Sequence, residues 1–394
     1  MKLAFVTPWY GLDIPGGAEA EVRRTVEKLH QVGVDVVILT TTIKDFYADW
    51  GQNTHKPGAY QENGITVHRF PVQKRDKQAF DSVNWRLINN LPITREQEQI
   101  YINEMIQVPT LYEYIAQHAS ERLFVFIPYM FATTYHGAKI CPERSLIIPC
   151  LHDESYAWLG IYQEVLPQVK GLILHVDAEL ALTEQIFGPA HGQKRMVIGE
   201  GVDTDFVSDG ERFRCKYKLD KPFVLYAGRR EAGKNVPMLL DYWQRFQQEL
   251  PQDTKLVLIG PGSVNIPTFV ESSVLDLGFV SVQDKYDAYA AADVFCMPSV
   301  NESFSIVIME SWLAGTPILV NGNCAVTKEH SQRANGGLYF HNYEEFAATL
   351  TYLLDHRETA VTLGQQGRQY VLTHYHWDII IEKYQKLFQE AFLS

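Results

Sequence analysis

Short apolar segments alternate with longer amphipathic segments along the chain, and this alternation constrains the fold more than any other feature. A typical short segment is Leu3-Ala-Phe-Val-Thr7, and a typical amphipathic one repeats Ala18, Val22 and Val26 on one helical face. Strands that alternate with helices of this kind are typical of βαβ units, which build parallel sheets. The sequence therefore predicts an α/β protein.

The strand-like segments fall into two sets, which cover residues 2–7, 34–41, 65–71, 123–127, 145–150, 171–176 and 195–199, and then 223–227, 255–260, 274–279, 294–297 and 317–320. The alternation pauses at 200–222, in a charged stretch. Because domains typically contain about 100–200 residues, the 394-residue chain predicts two doubly wound domains. The first spans 1–200 together with a final helix at 376–394, and the second spans 201–375. Residues 42–64 are predicted to form a long loop.

The balance of acidic and basic residues bears on whether the protein binds nucleic acid. The chain has 35 basic and 47 acidic residues, a net charge of −12 at pH 7. General nucleic-acid binding needs a broad basic surface, so we expect no nucleic-acid partner.

Cysteine usage and hydropathy indicate the compartment. Five scattered cysteines without a CxxC pair predict neither a disulfide framework nor a cysteine-based zinc site. The sequence shows no secretory leader and no run of about 18 apolar residues. We therefore expect a cytoplasmic protein, with peripheral contact to the inner face of a membrane left open.

Residues 228–235 follow a strand and partly match a phosphate-binding loop. The segment is one residue short of a P-loop, and Asn235 stands where Ser or Thr would bind magnesium. Arg229 and Lys234 nevertheless place two cations between a strand end and a helix start, which predicts a diphosphate site. The alternative interpretation is a solvated surface turn.

Two glutamates eight residues apart follow a later strand. A helix is predicted to begin near Ser303 or Phe304, so Glu302 and Glu310 would lie about 12 Å apart along its axis. The carboxyl groups of glycosidases lie roughly 5–9.5 Å apart. The wider spacing fits two acids that bind different ends of one extended ligand, such as a sugar and a ribose.

The surroundings of these glutamates allow two interpretations. Glu310 lies in an apolar stretch, so we expect it to be partly buried and to need a polar partner. The main-chain amides of 303–306 would be available for phosphate or sugar oxygens. The alternative is that Glu302 is a capping acid and Glu310 an exposed helix residue.

Taken together, Glu302-x7-Glu310, Gly315-Thr-Pro317 and Gly-Arg229-x4-Lys234 resemble the retaining GT-B glycosyltransferases of family 4. The resemblance extends along nearly the whole chain through Gly16-Gly17-Ala-Glu19, His152-Asp153, Gly199-Glu-Gly-Val-Asp203 and Asn335-Gly-Gly337. It implies two Rossmann-like domains with a cleft between them. The N-terminal domain would bind the acceptor and the C-terminal domain the nucleotide-sugar donor.

The resemblance also implies roles for individual residues in the second domain. Arg229 and Lys234 would neutralise the donor diphosphate and stabilise the leaving group. Glu302 would bind hydroxyls of the donor sugar, and Glu310 would bind the ribose. The catalytic residues would be Arg229, Lys234, Glu302 and His152. Of these, His152 would contact the donor sugar near its anomeric centre.

The remaining donor-binding residues implied by the resemblance are glycines and a short segment: Gly16 and Gly17, then Ser303, Phe304, Ser305 and Ile306. A glycine lets the N-terminal loop approach the donor closely, because no Cβ intrudes. Ser303 and Ser305 depart from the family, which usually has glycine at both positions. This departure affects the part of the site next to the donor sugar.

The implied reaction moves a hexosyl group from a nucleoside-diphosphate sugar to a saccharide or lipid-linked saccharide acceptor, with retention of anomeric configuration. We expect uridine as the base of the donor and a role in polysaccharide or glycolipid biosynthesis. We expect no cofactor and no metal. Three alternatives stay open: a P-loop-like NTPase that uses 228–235, a nucleotide-sugar epimerase of the same fold, and a non-catalytic sugar-binding protein.

Overall fold

A computed structural model of the chain describes residues 2–14, 16–230 and 232–393. These residues form two compact units. Unit 1 runs to Gly201 and resumes at Asp378, and unit 2 is Val202–Trp377. The sequence predicted a division after residue 200 and a return at residue 376.

Unit 1 contains a sheet of eight strands: β1 Lys2–Val6, β2 Asp35–Thr41, β3 Gly58–Glu62, β4 Ile65–Phe70, β5 Leu123–Phe126, β6 Ser145–Ile147, β7 Gly171–Leu174 and β8 Lys194–Val197. Their order is β3-β4-β2-β1-β5-β6-β7-β8, and the pairings are parallel except that of β3 with β4. The helices of this part are α1 Gly17–Gln31, α2 Lys77–Ile88, α3 Arg95–Asn103, α4 Pro109–His118, α5 Ala132–Ala138, α6 Gly160–Gln163 and α7 Asp177–Phe187.

The prediction of a continuous loop at 42–64 is wrong, because this segment contains β3. Strands β3 and β4 form a hairpin around Asn63 and Gly64, which have φ of 51° and 81°. Asn-Gly favours this turn because both residues adopt left-handed backbone readily. The side chains of β3 are mostly exposed, so the strand lacks the apolar pattern of the other segments.

Unit 2 contains a parallel sheet of six strands: β9 Phe223–Ala227, β10 Lys255–Ile259, β11 Val274–Gly278, β12 Val294–Met297, β13 Ile318–Asn321 and β14 Gly337–Phe340. Their order is β11-β10-β9-β12-β13-β14. The helices are α8 Gly210–Tyr217, α9 Val236–Glu249, α10 Val282–Ala291, α11 Ile306–Leu313, α12 Ala325–Ala334, α13 Tyr343–Asp355 and α14 Arg357–His374. Helix α15, Trp377–Leu393, begins at the last residue of unit 2 and continues in unit 1.

The pairing of β9 with β12 matters most for function. All nine residues of these two strands are buried, as continuous apolar runs in parallel sheets usually are. The strands are parallel neighbours, so the loops that leave their carboxyl ends lie side by side. The first loop contains 228–230 and 232–235, and the second contains 298–305.

Two glycines of α14 allow close packing against the segment that contains α11. A Cβ on Gly364 would overlap the carbonyl group of Gly315, and a Cβ on Gly367 would overlap the indole ring of Trp312. Trp312 is fully buried and donates from Nε1 to the carbonyl oxygen of Gly336 at 2.8 Å. The position of α11 therefore depends on the absence of side chains at these glycines.

No helix within the described ranges has both the length and the apolar character needed to span a bilayer.

Replacing Gly367 with Ala should lower the free energy of unfolding by about 1–3 kcal/mol, because the methyl group forces Trp312 out of its position. Urea denaturation followed by tryptophan fluorescence measures the change. Arg368→Ala, at an exposed position of the same helix, is the control and should change stability by less than about 0.5 kcal/mol. Equal stability of the two variants would contradict this packing.

Candidate functional site

An ion pair joins the loops that follow β9 and β12. The ammonium group of Lys234 lies 2.6 Å from Oε1 of Glu302, and the two side chains are 23% and 9% exposed. The residues are 68 positions apart in the chain, and the parallel pairing of their strands brings them together. The structure thus joins two of the residues that the sequence singled out.

A shared carbonyl group holds these loops in place. The oxygen of Pro298 accepts hydrogen bonds from the side-chain amides of Asn235, at 3.2 Å, and Asn321, at 3.0 Å. These three residues follow or end the neighbouring strands β9, β12 and β13. Asn235 has φ of 59°, a left-handed conformation that asparagine tolerates better than most residues. Lys234 is consequently held in a turn before α9 rather than in the first turn of that helix.

The two adjacent arginines after β9 have different environments. Arg229 is exposed, and its carbonyl oxygen accepts a hydrogen bond from the hydroxyl of Tyr226 at 2.5 Å. Arg230 is buried, forms an ion pair with Asp276, and donates to the carbonyl oxygen of Leu258. Arg230 therefore fastens this loop to β10 and β11. The role of Arg230 could not be predicted from the sequence, because two adjacent arginines do not reveal which side chain faces the core.

Helix α11 begins later than predicted. Its first residue is Ile306, not Ser303 or Phe304, so Glu302 lies in the preceding loop. The reason is the backbone of Ser305, whose φ of 69° is incompatible with a right-handed helix. The side chain of Phe304 is buried against His330. Only the main chain of Phe304 is therefore placed to contact a ligand.

Ser305 combines two unfavourable features at the amino terminus of α11. Its left-handed backbone costs a residue with a Cβ about 1–2 kcal/mol. Its hydroxyl is buried and has no hydrogen-bond partner among the residues that the structure describes. An unpaired buried hydroxyl costs about 1–3 kcal/mol. Strain of this kind persists most often at functional sites.

Glu310 is buried in α11 and bonded to two side chains of α10. Lys285 Nζ donates to its Oε1 at 2.6 Å, and the hydroxyl of Tyr289 donates to its Oε2 at 3.1 Å. Burial, together with the negative charge of Glu310, raises the pKa of Tyr289 well above its usual value, so this hydroxyl keeps its proton. The buried, paired carboxylate matches the expectation from the sequence. The identity of its partners could not be read from the sequence, because they lie on another helix.

The other predicted site residues belong to unit 1. Gly16 caps α1 with φ of 144°, and a Cβ there would overlap the carboxylate of Glu19, which accepts a hydrogen bond from Trp9. A Cβ on Gly17 would meet no atom within 4 Å, so this side of the helix start is open. His152 follows β6, is 28% exposed, and has its Nδ1 3.6 Å from Oε1 of Glu154.

Comparison with known proteins connects unit 2 to one family. Residues 208–370 match the family model described as glycosyl transferases group 1. This range lies within unit 2 and includes Arg229, Lys234, Glu302 and Glu310.

Similar proteins cover most of the chain. Phosphatidyl-myo-inositol mannosyltransferase of Mycobacterium tuberculosis is 24% identical over 332 residues, which cover 82% of this chain and 78% of that protein. The structure of sucrose-phosphate synthase from Thermosynechococcus elongatus covers 100% of this chain and 99% of its own at a TM-score of 0.72 and 18% identity. The structure of Anabaena Alr3699/HepE in complex with UDP and glucose covers 99% of this chain and 100% of its own, with a TM-score of 0.69 and 17% identity. The predicted GT-B fold, with its two Rossmann-like units, is confirmed.

Removing the cation beside Glu310 should destabilise the protein. Lys285→Met leaves a buried carboxylate with one donor fewer, so the free energy of unfolding should fall by about 1–3 kcal/mol in urea denaturation at pH 7. Lys221→Met is the matched control, because Lys221 pairs with the exposed Asp253 at the surface, where ion pairs contribute about 0–1 kcal/mol. Equal losses in the two variants would show that Glu310 does not depend on Lys285.

Proposed function

We propose that the chain is a glycosyltransferase that moves a hexosyl group from a nucleoside-diphosphate sugar to a saccharide or lipid-linked saccharide acceptor, with retention of anomeric configuration. The observation that carries the proposal is the ion pair of Lys234 with Glu302 in a unit that matches glycosyl transferases group 1. A cation and a carboxylate on adjacent loops offer the two contacts that a diphosphate and its attached sugar need.

The ion pair accounts for how the charges are kept in place before the donor binds. Glu302 is 9% exposed, and a carboxylate at such a position is costly without a partner. When the donor binds, the ammonium group of Lys234 turns to the phosphate oxygens, and Glu302 accepts hydrogen bonds from sugar hydroxyls. Arg229 supplies a second positive charge at the same strand end. Both cations stabilise the negative charge that develops on the departing diphosphate.

Glu310 is suited to bind the ribose of the donor. Lys285 and Tyr289 each use one acceptor position, and a carboxylate has about four. The remaining positions can accept hydrogen bonds from two ribose hydroxyls. The hydrogen bond from Lys285 also orients the carboxylate, so the group needs no rearrangement when the nucleotide arrives.

The proposed reaction is a front-side displacement. The bond between the anomeric carbon and the phosphate oxygen breaks, and the acceptor oxygen bonds to that carbon on the same face. The acceptor hydroxyl proton passes to the departing phosphate. His152, Gly16 and Gly17 are proposed as contacts of the donor sugar on the resemblance of their sequence motifs alone. Because Arg229 and Lys234 supply the positive charge, we expect no metal requirement for transfer.

The acceptor and the base of the donor are proposed from the similar proteins. The mycobacterial relative is named for mannosyl transfer to phosphatidyl-myo-inositol, which supports a lipid-linked acceptor and glycolipid or polysaccharide biosynthesis. The Anabaena structure contains UDP and glucose, which supports uridine as the base. A P-loop NTPase is disfavoured, because Asn235 has no hydroxyl for magnesium and its amide donates to Pro298.

Replacing Lys234 with Ala should lower the turnover number by about 10²–10³-fold, because the departing diphosphate loses a preorganised cation. Release of UDP from a UDP-hexose in the presence of acceptor measures the rate, and a melting curve checks the fold. The surface variant Lys221→Ala should keep full activity. Full activity in Lys234→Ala would refute the role of this lysine.

A thermal-shift screen against UDP, GDP and ADP, with ATP and GTP included to test for an NTPase, should identify the base when each nucleotide is added with and without magnesium. Binding to the folded state stabilises it by about 2.7 kcal/mol at a ligand concentration of 100 times Kd. We expect the largest rise in melting temperature with UDP, unchanged by magnesium. A magnesium-dependent shift with nucleoside triphosphates, together with their hydrolysis, would support the NTPase instead. Interconversion of the donor sugar without an acceptor would indicate an epimerase.

We propose that the Ser305 hydroxyl donates a hydrogen bond to the bound nucleotide sugar. This bond would give the buried hydroxyl the partner that it lacks among the described residues. Ser305→Gly should raise stability by about 1–4 kcal/mol, because it removes both the backbone strain and the unpaired hydroxyl. The greater freedom of glycine in the unfolded chain offsets about 0.4–1 kcal/mol of this gain. The replacement should also weaken donor binding by about fivefold to tenfold, the worth of one hydrogen bond. Urea denaturation and calorimetric titration with a UDP-hexose measure the two effects.

Asn335→Gly is the matched control for this experiment. Asn335 also has a left-handed backbone, with φ of 44°, and caps the far end of α12. Its replacement should leave donor affinity unchanged. Unchanged affinity in Ser305→Gly as well would exclude the hydroxyl from the donor site.

A further inference from the structure

Three buried side chains of unit 1 bring together donor atoms of the kinds that zinc binds. Glu21 lies in α1, Cys150 follows β6, and His175 lies between β7 and α7. A carboxylate oxygen, the thiol sulfur and an imidazole nitrogen all lie within 4.8 Å of one another. His175 Nε2 is 2.8 Å from Glu21 Oε1, and Cys150 Sγ is 3.8 Å from Glu21 Oε2. The side chains of Glu21 and His175 are only 4% and 2% exposed.

A second carboxylate orients the imidazole ring. Glu179, in α7, accepts hydrogen bonds from the main-chain amides of Leu151, at 2.7 Å, and His175, at 2.6 Å. Its Oε2 also lies 3.2 Å from His175 Nδ1. A carboxylate at Nδ1 keeps a proton on that nitrogen and directs Nε2 toward Glu21 and Cys150. Zinc-binding histidines are commonly oriented by a carboxylate in this way.

The electrostatic surroundings favour a cation. The carboxylates of Glu21, Glu179, Glu200 and Glu19 all act electrostatically on the Cys150 thiol. Two of these carboxylates, those of Glu21 and Glu179, lie 2.8 Å and 3.2 Å from the two ring nitrogens of His175. Cys150 also has φ of 51°, an unfavourable backbone conformation for cysteine. The fold thus holds this thiol beside several negative groups at a cost in backbone strain.

We propose that Glu21, Cys150 and His175 bind a zinc ion, with Glu179 as the carboxylate that orients His175. Glutamate, thiolate and imidazole are all common zinc ligands. The ion replaces the proton on His175 Nε2 and the proton of the thiol, and both protons leave to solvent. A dication in place of two protons leaves the net charge of the cluster unchanged.

The ion links α1 to the segment after β6 and to the short connection between β7 and α7. His152 follows Cys150 by two residues, so the ion fixes the segment from which this histidine projects. The role is structural and differs from that of the metal-free diphosphate site proposed for unit 2. This site could not be predicted from the sequence, because Glu21 and Cys150 are 129 positions apart and a zinc motif is recognised by closely spaced ligands.

Cobalt substitution tests the proposal on the full chain. Protein stripped with a chelator is titrated with Co²⁺, which gives a near-ultraviolet charge-transfer band when a thiolate binds it. Wild type and Cys215→Ser, which lacks the exposed cysteine of α8, should each bind one Co²⁺ with this band, and Zn²⁺ should abolish it. Cys150→Ser should lose the band. Glu179→Gln should keep it but bind about 10–100-fold more weakly.

Two results would overturn the proposal: wild type that takes up no Co²⁺ with a thiolate band, and Cys150→Ser that retains the band. If the melting curve shows that Cys150→Ser does not fold, the test rests on Co²⁺ titrations of the wild type and of Glu21→Gln. Glu21→Gln keeps the shape of the side chain and must weaken Co²⁺ uptake at least about tenfold, within the range that loss of a metal-site partner produces. Unchanged uptake in that variant would exclude Glu21 as a ligand.

Discussion

Parallel pairing of β9 with β12 brings opposite charges together at one edge of a buried sheet. Each strand ends in a loop at the same edge, and the ion pair of Lys234 with Glu302 joins the two loops. Hydrogen bonds to the Pro298 carbonyl fix the same loops from the main-chain side. The charges therefore stay in place without a ligand. A diphosphate sugar can replace the contact between them with two contacts of its own.

A protein with a net charge of −12 would repel an anionic ligand overall. The positions of individual charges at the candidate site explain how such a ligand can still bind. Interactions between exposed charges are screened beyond about 8–10 Å. Cations at a strand end and main-chain amides at a helix start therefore outweigh distant carboxylates. The buried Glu310, held by Lys285 and Tyr289, offers acceptor positions for the nucleoside part of the same ligand.

The sequence predicted the parts of the fold that depend on continuous apolar runs. Strands such as β9 and β12 are buried on both faces, so their hydrophobicity alone identifies them. Strand β3 was missed because its side chains are exposed, although Asn63-Gly64 marks its turn. The start of α11 was misplaced because the left-handed backbone of Ser305 has no signature in a segment without glycine.

The pairing of distant side chains was beyond sequence analysis. Glu310 was expected to have a polar partner, and it is bonded to two residues of α10, Lys285 and Tyr289. Arg230, next to Arg229, forms a buried ion pair with Asp276. Such contacts are set by tertiary packing and not by local spacing. The predicted roles of Arg229, Lys234, Glu302 and His152 in catalysis stay predictions until a ligand is bound.

The most direct test of the donor site is a crystal structure of the full chain with a non-transferable UDP-hexose. We predict that Lys234 Nζ lies within hydrogen-bonding distance of a diphosphate oxygen, that Glu302 binds a sugar hydroxyl, and that Glu310 binds the ribose. A nucleotide bound elsewhere, with the contact of Lys234 and Glu302 unchanged at 2.6 Å, would contradict it.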